Sequence, residues 1–148
     1  MDELRKPLEA KPTRMGALSR LPVFLALEGK RVVLVGHGQA AAWKAELLSA
    51  AGARVEVFSQ DVSDEMLLMA GDPPRGEIVI HRRAWSAEDL AGASVAVGAF
   101  DDDNGAAVFA SAARAAGVPV NVIDKPAFCD FSFGAIVNRS PLVIGIST

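Results

Sequence analysis

Short apolar runs alternate with stretches of helical spacing along most of the chain. The first run, residues 32–35, is β-branched and uninterrupted, as expected of a parallel strand that is buried on both faces. Four further runs have the length and composition of strands: residues 53–58, 77–81, 94–100 and 118–123. The intervening stretches predict helices at 39–51, 63–70 and 106–116 and a helical turn at 86–90. This alternation predicts the α/β class, with a doubly wound parallel sheet of about five strands.

The pattern changes after the fifth predicted strand. Residues 131–137 and 142–146 both have strand character, and only the turn residues 138–141 separate them. Because no helical period intervenes, we predict an antiparallel strand pair added to the parallel sheet. The chain stops directly after this pair, so we expect it to be truncated from a larger protein.

The first predicted helix presents Trp43, Leu47 and Ala50 on one face, and Gly52 follows it as a stop signal. Residues 1–20 instead alternate charges with Pro7 and Pro12 and lack the apolar stretch of a signal peptide. We expect a mobile leader there, with Met15 as an alternative start.

A glycine turn links the first strand to the first helix. Six consecutive residues form it: Gly36, His37, Gly38, Gln39, Ala40 and Ala41. The first glycine allows a sharp exit from the strand, the second leaves space for a pyrophosphate, and the small alanine lets helix pack on strand. The helix N-terminus favours the negative phosphates. The turn predicts a Rossmann-like dinucleotide site, although a simple βα turn that needs small residues remains open.

An acidic residue at the end of the second strand usually binds the ribose hydroxyls in such a site. Glu56 comes too early, inside the strand, whereas Ser59, Gln60 and Asp61 lie where the strand should end. Asp61 is the better candidate, and its alternatives are a solvated turn carboxylate or a helix cap. Ligands of open α/β sheets bind beyond the carboxyl ends of the strands. We therefore expect the glycine turn, residues 59–61, residues 100–103 and residues 121–124 to meet in one cleft.

Composition and net charge limit the kinds of partner that this chain is expected to bind. The chain has 148 residues, 51% hydrophobic content and a formal net charge of −3, which fits one nucleotide-binding domain and argues against nucleic acid or an anionic membrane as partner. No apolar run approaches the ~20 residues that span a bilayer. Cys129 is the single cysteine, which favours a reducing compartment such as the cytoplasm. No His, Cys or carboxylate cluster has the spacing of metal ligands, so no protein-bound metal is predicted.

An ordered series of motifs resembles the bifunctional precorrin-2 dehydrogenase and sirohydrochlorin ferrochelatase family, the amino-terminal part of siroheme synthase. The resemblance covers residue 21 to the end. The motifs are Leu21-Pro22-Val23-Phe24, the glycine turn with Lys44 and Leu47-Leu48 behind it, Ala51-Gly52-Ala53, Asp101-Asp102, Asn121-Val122-Ile123-Asp124, Cys129-Asp130-Phe131, Arg139-Ser140-Pro141-Leu142 and Ser147-Thr148.

The resemblance implies NAD-dependent oxidation of precorrin-2 to sirohydrochlorin, followed by insertion of Fe²⁺, a substrate, to give siroheme. It places the catalytic carboxylate on Asp124, which would act as a general base in both reactions. It places cofactor contacts on Gln39 and Ala40 and on Gln60 and Asp61, and Thr148 aligns with a serine that is phosphorylated in some members. By itself, an aspartate before Lys-Pro is also an ordinary turn residue.

The resemblance also implies a division of the chain. Residues 21–125 form the NAD-binding domain, and residues 126–148 begin a domain for dimerisation and substrate binding that continues in family members, so the longer protein is expected to be a homodimer. We also predict that Ser59, Phe100 and Asp101 contact the cofactor in this cleft.

The tetrapyrrole substrate carries several carboxylates, which require cations. Arg139 and Lys125 are candidates, and Lys44 is weaker because it could lie on the helix surface. Asn121 either orients a ligand or satisfies a strand-end backbone group.

Five positions depart from the family pattern: His37, Trp43, Phe100, Ala106 and Gly134. Two of them, His37 and Phe100, border the predicted cleft and bear on the fit of the cofactor. Two rival functions therefore remain open. One is a regulatory module that binds NAD without chemistry, and the other is a degenerate family member that serves as a dimerisation scaffold.

Overall fold

The computed structural model describes residues 14–148, and a five-stranded parallel sheet forms its centre. The strands lie in the order β3-β2-β1-β4-β5. Their bounds are β1 (Arg31–Val35), β2 (Arg54–Phe58), β3 (Glu77–His81), β4 (Ala96–Gly98) and β5 (Val120–Val122). The predicted α/β class and the five parallel strands are confirmed. The part of the predicted leader before residue 14 lies outside the described residues, and residues 14–20 are exposed.

Three helices cover the sheet from two sides: α1 (Gln39–Ala50), α2 (Asp64–Gly71) and α3 (Asp103–Ala115). Successive side chains of a strand point to opposite faces of the sheet, so the apolar side chains of β1 contribute to a hydrophobic core on each face. Val32 and Leu34 pack with α1 and α2, whereas Val33 and Val35 pack with α3. The helix α3 begins at Asp103 rather than at the predicted Ala106, because the Asp102 carboxylate caps it by accepting a hydrogen bond from the Gly105 amide at 3.2 Å.

The face of α1 that packs on the sheet is lined by small residues. The buried positions are Ala41, Ala42, Ala45, Leu48 and Ser49. The face that Trp43, Leu47 and Ala50 define is the outer one, and the Trp43 side chain is 66% exposed. Alanines allow the helix axis to approach β1 closely, so the packing selects the face of small residues over the face that carries the larger tryptophan.

The last two strands, β6 (Ala135–Arg139) and β7 (Leu142–Ile146), form the predicted antiparallel pair. The pair is a separate sheet and is not added to the parallel one, and its first strand begins at residue 135 instead of the predicted 131. All ten of its residues are exposed. The apolar side chains among them include Ile136, Val143 and Ile144, each more than 40% exposed. The hairpin lies beside the segment before β1, because a Cβ added at Gly145 would lie 3.8 Å from the Phe24 ring. None of the helices within residues 14–148 is long and apolar enough to cross a bilayer.

A short 3₁₀ helix, Ala87–Leu90, replaces an α-helix between β3 and β4. Asp89 holds this connection in place. Its carboxylate accepts hydrogen bonds from both terminal nitrogens of Arg83, at 2.8 and 2.7 Å, and from the Ser86 amide at 2.7 Å. The side chain of Asp89 is only 12% exposed, and the Arg83 hydrogen bonds hold its pKa well below the usual aspartate range.

We predict that Asp89→Asn lowers the free energy of unfolding by about 1 kcal/mol at neutral pH, because charge-assisted hydrogen bonds are lost. The depressed pKa belongs to the folded state, so the stabilisation is present above the ordinary aspartate pKa of about 3.9 and is lost as the pH falls below it. Urea titrations of both proteins across this range measure the difference. Glu46→Gln, which removes an exposed carboxylate from the outer side of α1, is the control, and an Asp89→Asn protein as stable as this control at neutral pH would contradict the assignment.

Candidate active site

The glycine turn after β1 depends on a close backbone contact. Gly36 has a φ of +117°, and a Cβ built on it would lie 2.7 Å from the carbonyl oxygen of Ala99. Any side chain at this position would therefore collide with the end of β4. The Gly36 amide also donates a hydrogen bond to the Phe58 carbonyl at the end of β2, at 3.1 Å. The turn is thus fixed to both strands that flank β1.

Gly38 occupies the N-cap of α1 in a conformation open to a ligand. Its φ is +92°, no side chain caps the helix, and nothing lies within 4 Å of a Cβ built on it. The first N–H groups of a helix lack partners within the helix, and the positive end of its dipole faces the same direction. Gln39 and Ala40 are exposed in this first turn, whereas Ala41 is fully buried against the sheet. These residues fit the pyrophosphate of a dinucleotide.

The end of β2 presents the predicted ribose contacts. Ser59 is buried and donates a hydrogen bond from its hydroxyl to the Asp61 carbonyl at 2.5 Å, while Gln60 and Asp61 are exposed. Ser63 caps α2 by accepting from the Met66 amide at 3.2 Å, so Asp61 is not the cap. Its carboxylate is therefore available to a ligand.

Two neighbouring openings differ in size. The exposed His37 lines a shallow crevice with Ser59 and Asp61 that has no enclosed volume large enough for a water molecule. An open groove of about 450 Å³ instead lies between α1 and α2, beside Gln39, Trp43 and Met69.

Glu56, excluded as a ribose contact from its place in the sequence, has another role. Its side chain is 13% exposed and pairs with the Arg31 guanidinium on the neighbouring strand. His81 on β3 stacks on the Phe58 ring with centroids 4.6 Å apart, and its Nε2 lies 3.8 Å from the same carboxylate. The Glu56 carboxylate is therefore already paired with arginines inside the sheet.

The end of β4 combines a packed aromatic ring with exposed carboxylates. The Phe100 ring lies 5.2 Å from the Phe109 ring. A Cβ at Gly98 would come within 2.5 Å of Phe100, so the ring needs that glycine. Asp101 is exposed beside it. Phe100 therefore has a packing role, and the predicted cofactor contact of Phe100 and Asp101 stays a prediction.

Asp124 follows β5 and is the only described non-glycine residue with a positive φ, at 61°. Asp and Asn adopt this left-handed conformation more readily than other residues, at a small cost that the surrounding structure must offset. The Lys125 amide donates to the Val122 carbonyl, and the Cys129 thiol bonds with Val122 as well. These contacts hold the loop that exposes the Asp124 side chain.

The predicted substrate contacts have other partners. The buried Asn121 donates its amide to the Phe131 carbonyl at 2.9 Å, so it satisfies a backbone group, the second of its two interpretations. The Lys125 ammonium pairs with Asp103 at 2.8 Å. Arg139 is exposed on β6 and donates to the neighbouring Asn138 carbonyl. Their contacts with a substrate stay predictions.

Lys44 on α1, the weaker candidate from the sequence, interacts electrostatically with Asp124. Partial burial lowers the pKa of Lys44, and the negative charge of Asp124 opposes this effect. The Lys44 Nζ also lies 4.0 Å from the centroid of the Phe133 ring. In the sequence, Lys44 lies in the second turn of a helix whose N-terminus faces the predicted cleft, which favours a role at the site. The sequence does not show which side of this helix packs on the sheet, so it does not show where Lys44 points. Within residues 14–148, no cluster of three or more His, Cys, Asp or Glu side chains could hold a metal ion.

We predict that Asp124→Asn lowers the pKa of Lys44 further, because the opposing negative charge is removed while desolvation remains. Asparagine tolerates the positive φ, so the loop conformation should be kept. Titration of ¹³C-labelled lysine side chains by NMR measures the shift, with Asp72→Asn, an exposed carboxylate at the end of α2, as control. An unchanged Lys44 pKa would show that the two groups do not interact.

Comparisons with known proteins agree with this geometry. A family model described as "Putative NAD(P)-binding" matches residues 23–135. The siroheme synthase of Ectopseudomonas mendocina (strain ymp) is 40% identical over 128 residues, which cover 86% of this chain and 27% of that protein. The siroheme synthase of Stutzerimonas stutzeri (strain A1501) is 42% identical over 130 residues, with the same coverage of 86% and 27%. The chain thus spans about a quarter of the length of these curated relatives.

A solved structure described as SirC, precorrin-2 dehydrogenase, has the same fold. It matches with a TM-score of 0.66 and 23% identity over 87% of this chain and 62% of that chain. The resemblance to siroheme synthase inferred from the motifs is confirmed. Because the family model matches most of its length, the chain belongs to this NAD(P)-binding family and is homologous to a part of siroheme synthase.

Proposed function

We propose that this chain carries the NAD-dependent precorrin-2 dehydrogenase step of siroheme biosynthesis. One observation carries the proposal: the uncapped N-terminus of α1 at Gly38 and the exposed carboxylate of Asp124 lie at the same edge of the sheet. The strands are parallel, so the turns that follow β1 and β5 are both at their carboxyl ends. A dinucleotide bound at the first and a base at the second are the two requirements of the reaction.

The residues that would hold the cofactor are those of the glycine turn and of the end of β2. The α1 amides would bind the pyrophosphate, and Asp61 would bind the ribose hydroxyls. When bound, NAD supplies a nicotinamide ring that accepts a hydride. The family described as NAD(P)-binding supports this assignment, and the choice of NAD over NADP is part of the proposal.

Asp124 would take up the proton released when precorrin-2 is oxidised to sirohydrochlorin. A positioned general base typically contributes ~10² to 10⁴ in rate. The contacts of residues 125 and 129 hold the backbone at Asp124, so that only the carboxylate side chain would have to be ordered during the reaction.

The same carboxylate would serve a second reaction. Insertion of Fe²⁺ into sirohydrochlorin releases pyrrole protons, and Asp124 is exposed to accept them. Iron is here a substrate that the macrocycle binds. This ferrochelatase step rests on the resemblance and on the position of one carboxylate, and we place it in the cytoplasm with the rest of the pathway.

An NAD-binding module without chemistry is the second candidate. It is favoured by Asn121 and Lys125, which the structure engages in contacts with Phe131 and Asp103. Such a module would bind NAD through the glycine turn and would not require Asp124.

A second copy of the chain is the proposed partner of the hairpin. An isolated two-stranded hairpin is at best marginally stable in water, and both faces of β6 and β7 are exposed. Exposed apolar patches of this kind mark interaction sites. The dimer implied by the resemblance would cover them.

We predict that the wild-type chain reduces NAD in the presence of precorrin-2 and that Asp124→Asn lowers kcat by ~10² to 10⁴, with the NAD dissociation constant unchanged. NADH absorbance measures turnover, and Asp72→Asn is the matched control. Wild-type turnover by Asp124→Asn would remove Asp124 from the mechanism. A wild-type chain that binds NAD but produces no NADH would favour the regulatory module.

We predict that the chain dimerises and that Val143→Glu weakens the dimer by at least about tenfold, because a charge on the hairpin must be desolvated in the interface. Sedimentation equilibrium measures the dissociation constant. Val108→Glu, on the exposed face of α3, is the control and should leave the dimer intact. A wild-type chain that is monomeric at all concentrations would contradict the proposal.

A further inference from the structure

The Lys44 ammonium lies between two aromatic rings at the edge of the candidate site. Its Nζ is 4.0 Å from the Phe133 centroid and 5.4 Å from the Trp43 centroid. Phe133 is held by an edge contact with Phe131, whose centroid is 5.5 Å away. Trp43 is 66% exposed. A positive charge and an exposed indole are therefore presented together.

This ammonium lacks a direct anionic partner. Every salt bridge within 4.0 Å that residues 14–148 form involves other cations. Lys44 is partly desolvated, which lowers its pKa, and the charge of Asp124 compensates only in part. Desolvating a charge without a hydrogen-bonded counter-ion is unfavourable. A ligand anion bound to the Lys44 ammonium would offset this cost of desolvation.

The other two candidate cations for a substrate carboxylate differ from Lys44. Lys125 is already paired with Asp103 at 2.8 Å, and Arg139 lies on the exposed hairpin. The charge of Lys44, in contrast, has no salt-bridge partner in the described part of the chain and is opposed only by Asp124.

We propose that Lys44, Trp43 and Phe133 form a substrate subsite that binds one carboxylate arm of the tetrapyrrole and stacks an aromatic face on its macrocycle. The inference rests on the proposed function, since a planar ring with carboxylate arms is the substrate class that this function names. The subsite would place the macrocycle next to Asp124.

The test is equilibrium binding of sirohydrochlorin, which requires neither NAD nor turnover. Lys44→Met should raise the dissociation constant about tenfold, as expected for the loss of one charge-assisted contact. Lys44→Arg should restore most of the affinity. Lys30→Met removes the same charge from an exposed turn before β1, at the opposite edge of the sheet, and should have no effect.

Fluorescence gives a second readout that a merely structural lysine would not change. Sirohydrochlorin should quench the emission of Trp43, so the quenched amplitude should fall in Trp43→Phe, which retains only the partly buried Trp85. If thermal unfolding shows that Lys44→Met does not fold, a substitution of the exposed Trp43 replaces it in the binding test. Trp43→Ala should then weaken binding severalfold.

The outcomes separate the two proposals. Wild-type binding that is equally tight in Lys44→Met and Lys30→Met, or a wild-type chain that does not bind sirohydrochlorin, would overturn the subsite. Lys44-dependent binding without NADH formation from precorrin-2 would support the subsite and overturn the dehydrogenase proposal alone.

Discussion

The close approach of Gly36 to Ala99 is the contact on which the candidate site depends. A hydrogen atom is all that fits between the exit of β1 and the end of β4, because a Cβ would lie 2.7 Å from the Ala99 oxygen. This contact lets the chain turn at once into α1, so the helix begins above the carboxyl edge of the sheet. The N-terminus of α1 and the loop of Asp124 consequently belong to one surface.

The parallel sheet and its functional edge could be predicted from the sequence because each rests on local signals. The periodicity of two or 3.6 residues separates strands from helices, and ligands bind at the carboxyl ends of parallel strands whatever their sequence. The antiparallel pair is predictable, with strands at 131–137 and 142–146, because no helical period separates them. Strand ends were less accurate: β4 was expected over residues 94–100 and is limited to Ala96–Gly98.

The details of the site depend on tertiary packing and could not be inferred in the same way. The outer face of α1 carries Trp43, although hydrophobicity alone would bury tryptophan, because Ala41 and Ala45 allow the closer approach to β1. The Lys44 ammonium lies 4.0 Å from the Phe133 centroid, and Lys125, which the sequence favoured as a substrate contact, pairs with Asp103. Which charges are paired is decided between elements far apart in the chain.

The central claim is that a dinucleotide binds at the N-terminus of α1, within reach of the Asp124 loop. Titration of the ¹⁵N-labelled chain with NAD, followed by amide NMR shifts, tests it most directly. We expect the largest changes at Gly38, Gln39 and Ala40 and smaller ones at Asp61 and Asp124, with Gly29 and Gly92 at the opposite edge unaffected. Shifts confined to other parts of the chain, with the Gly38 amide unchanged, would contradict it.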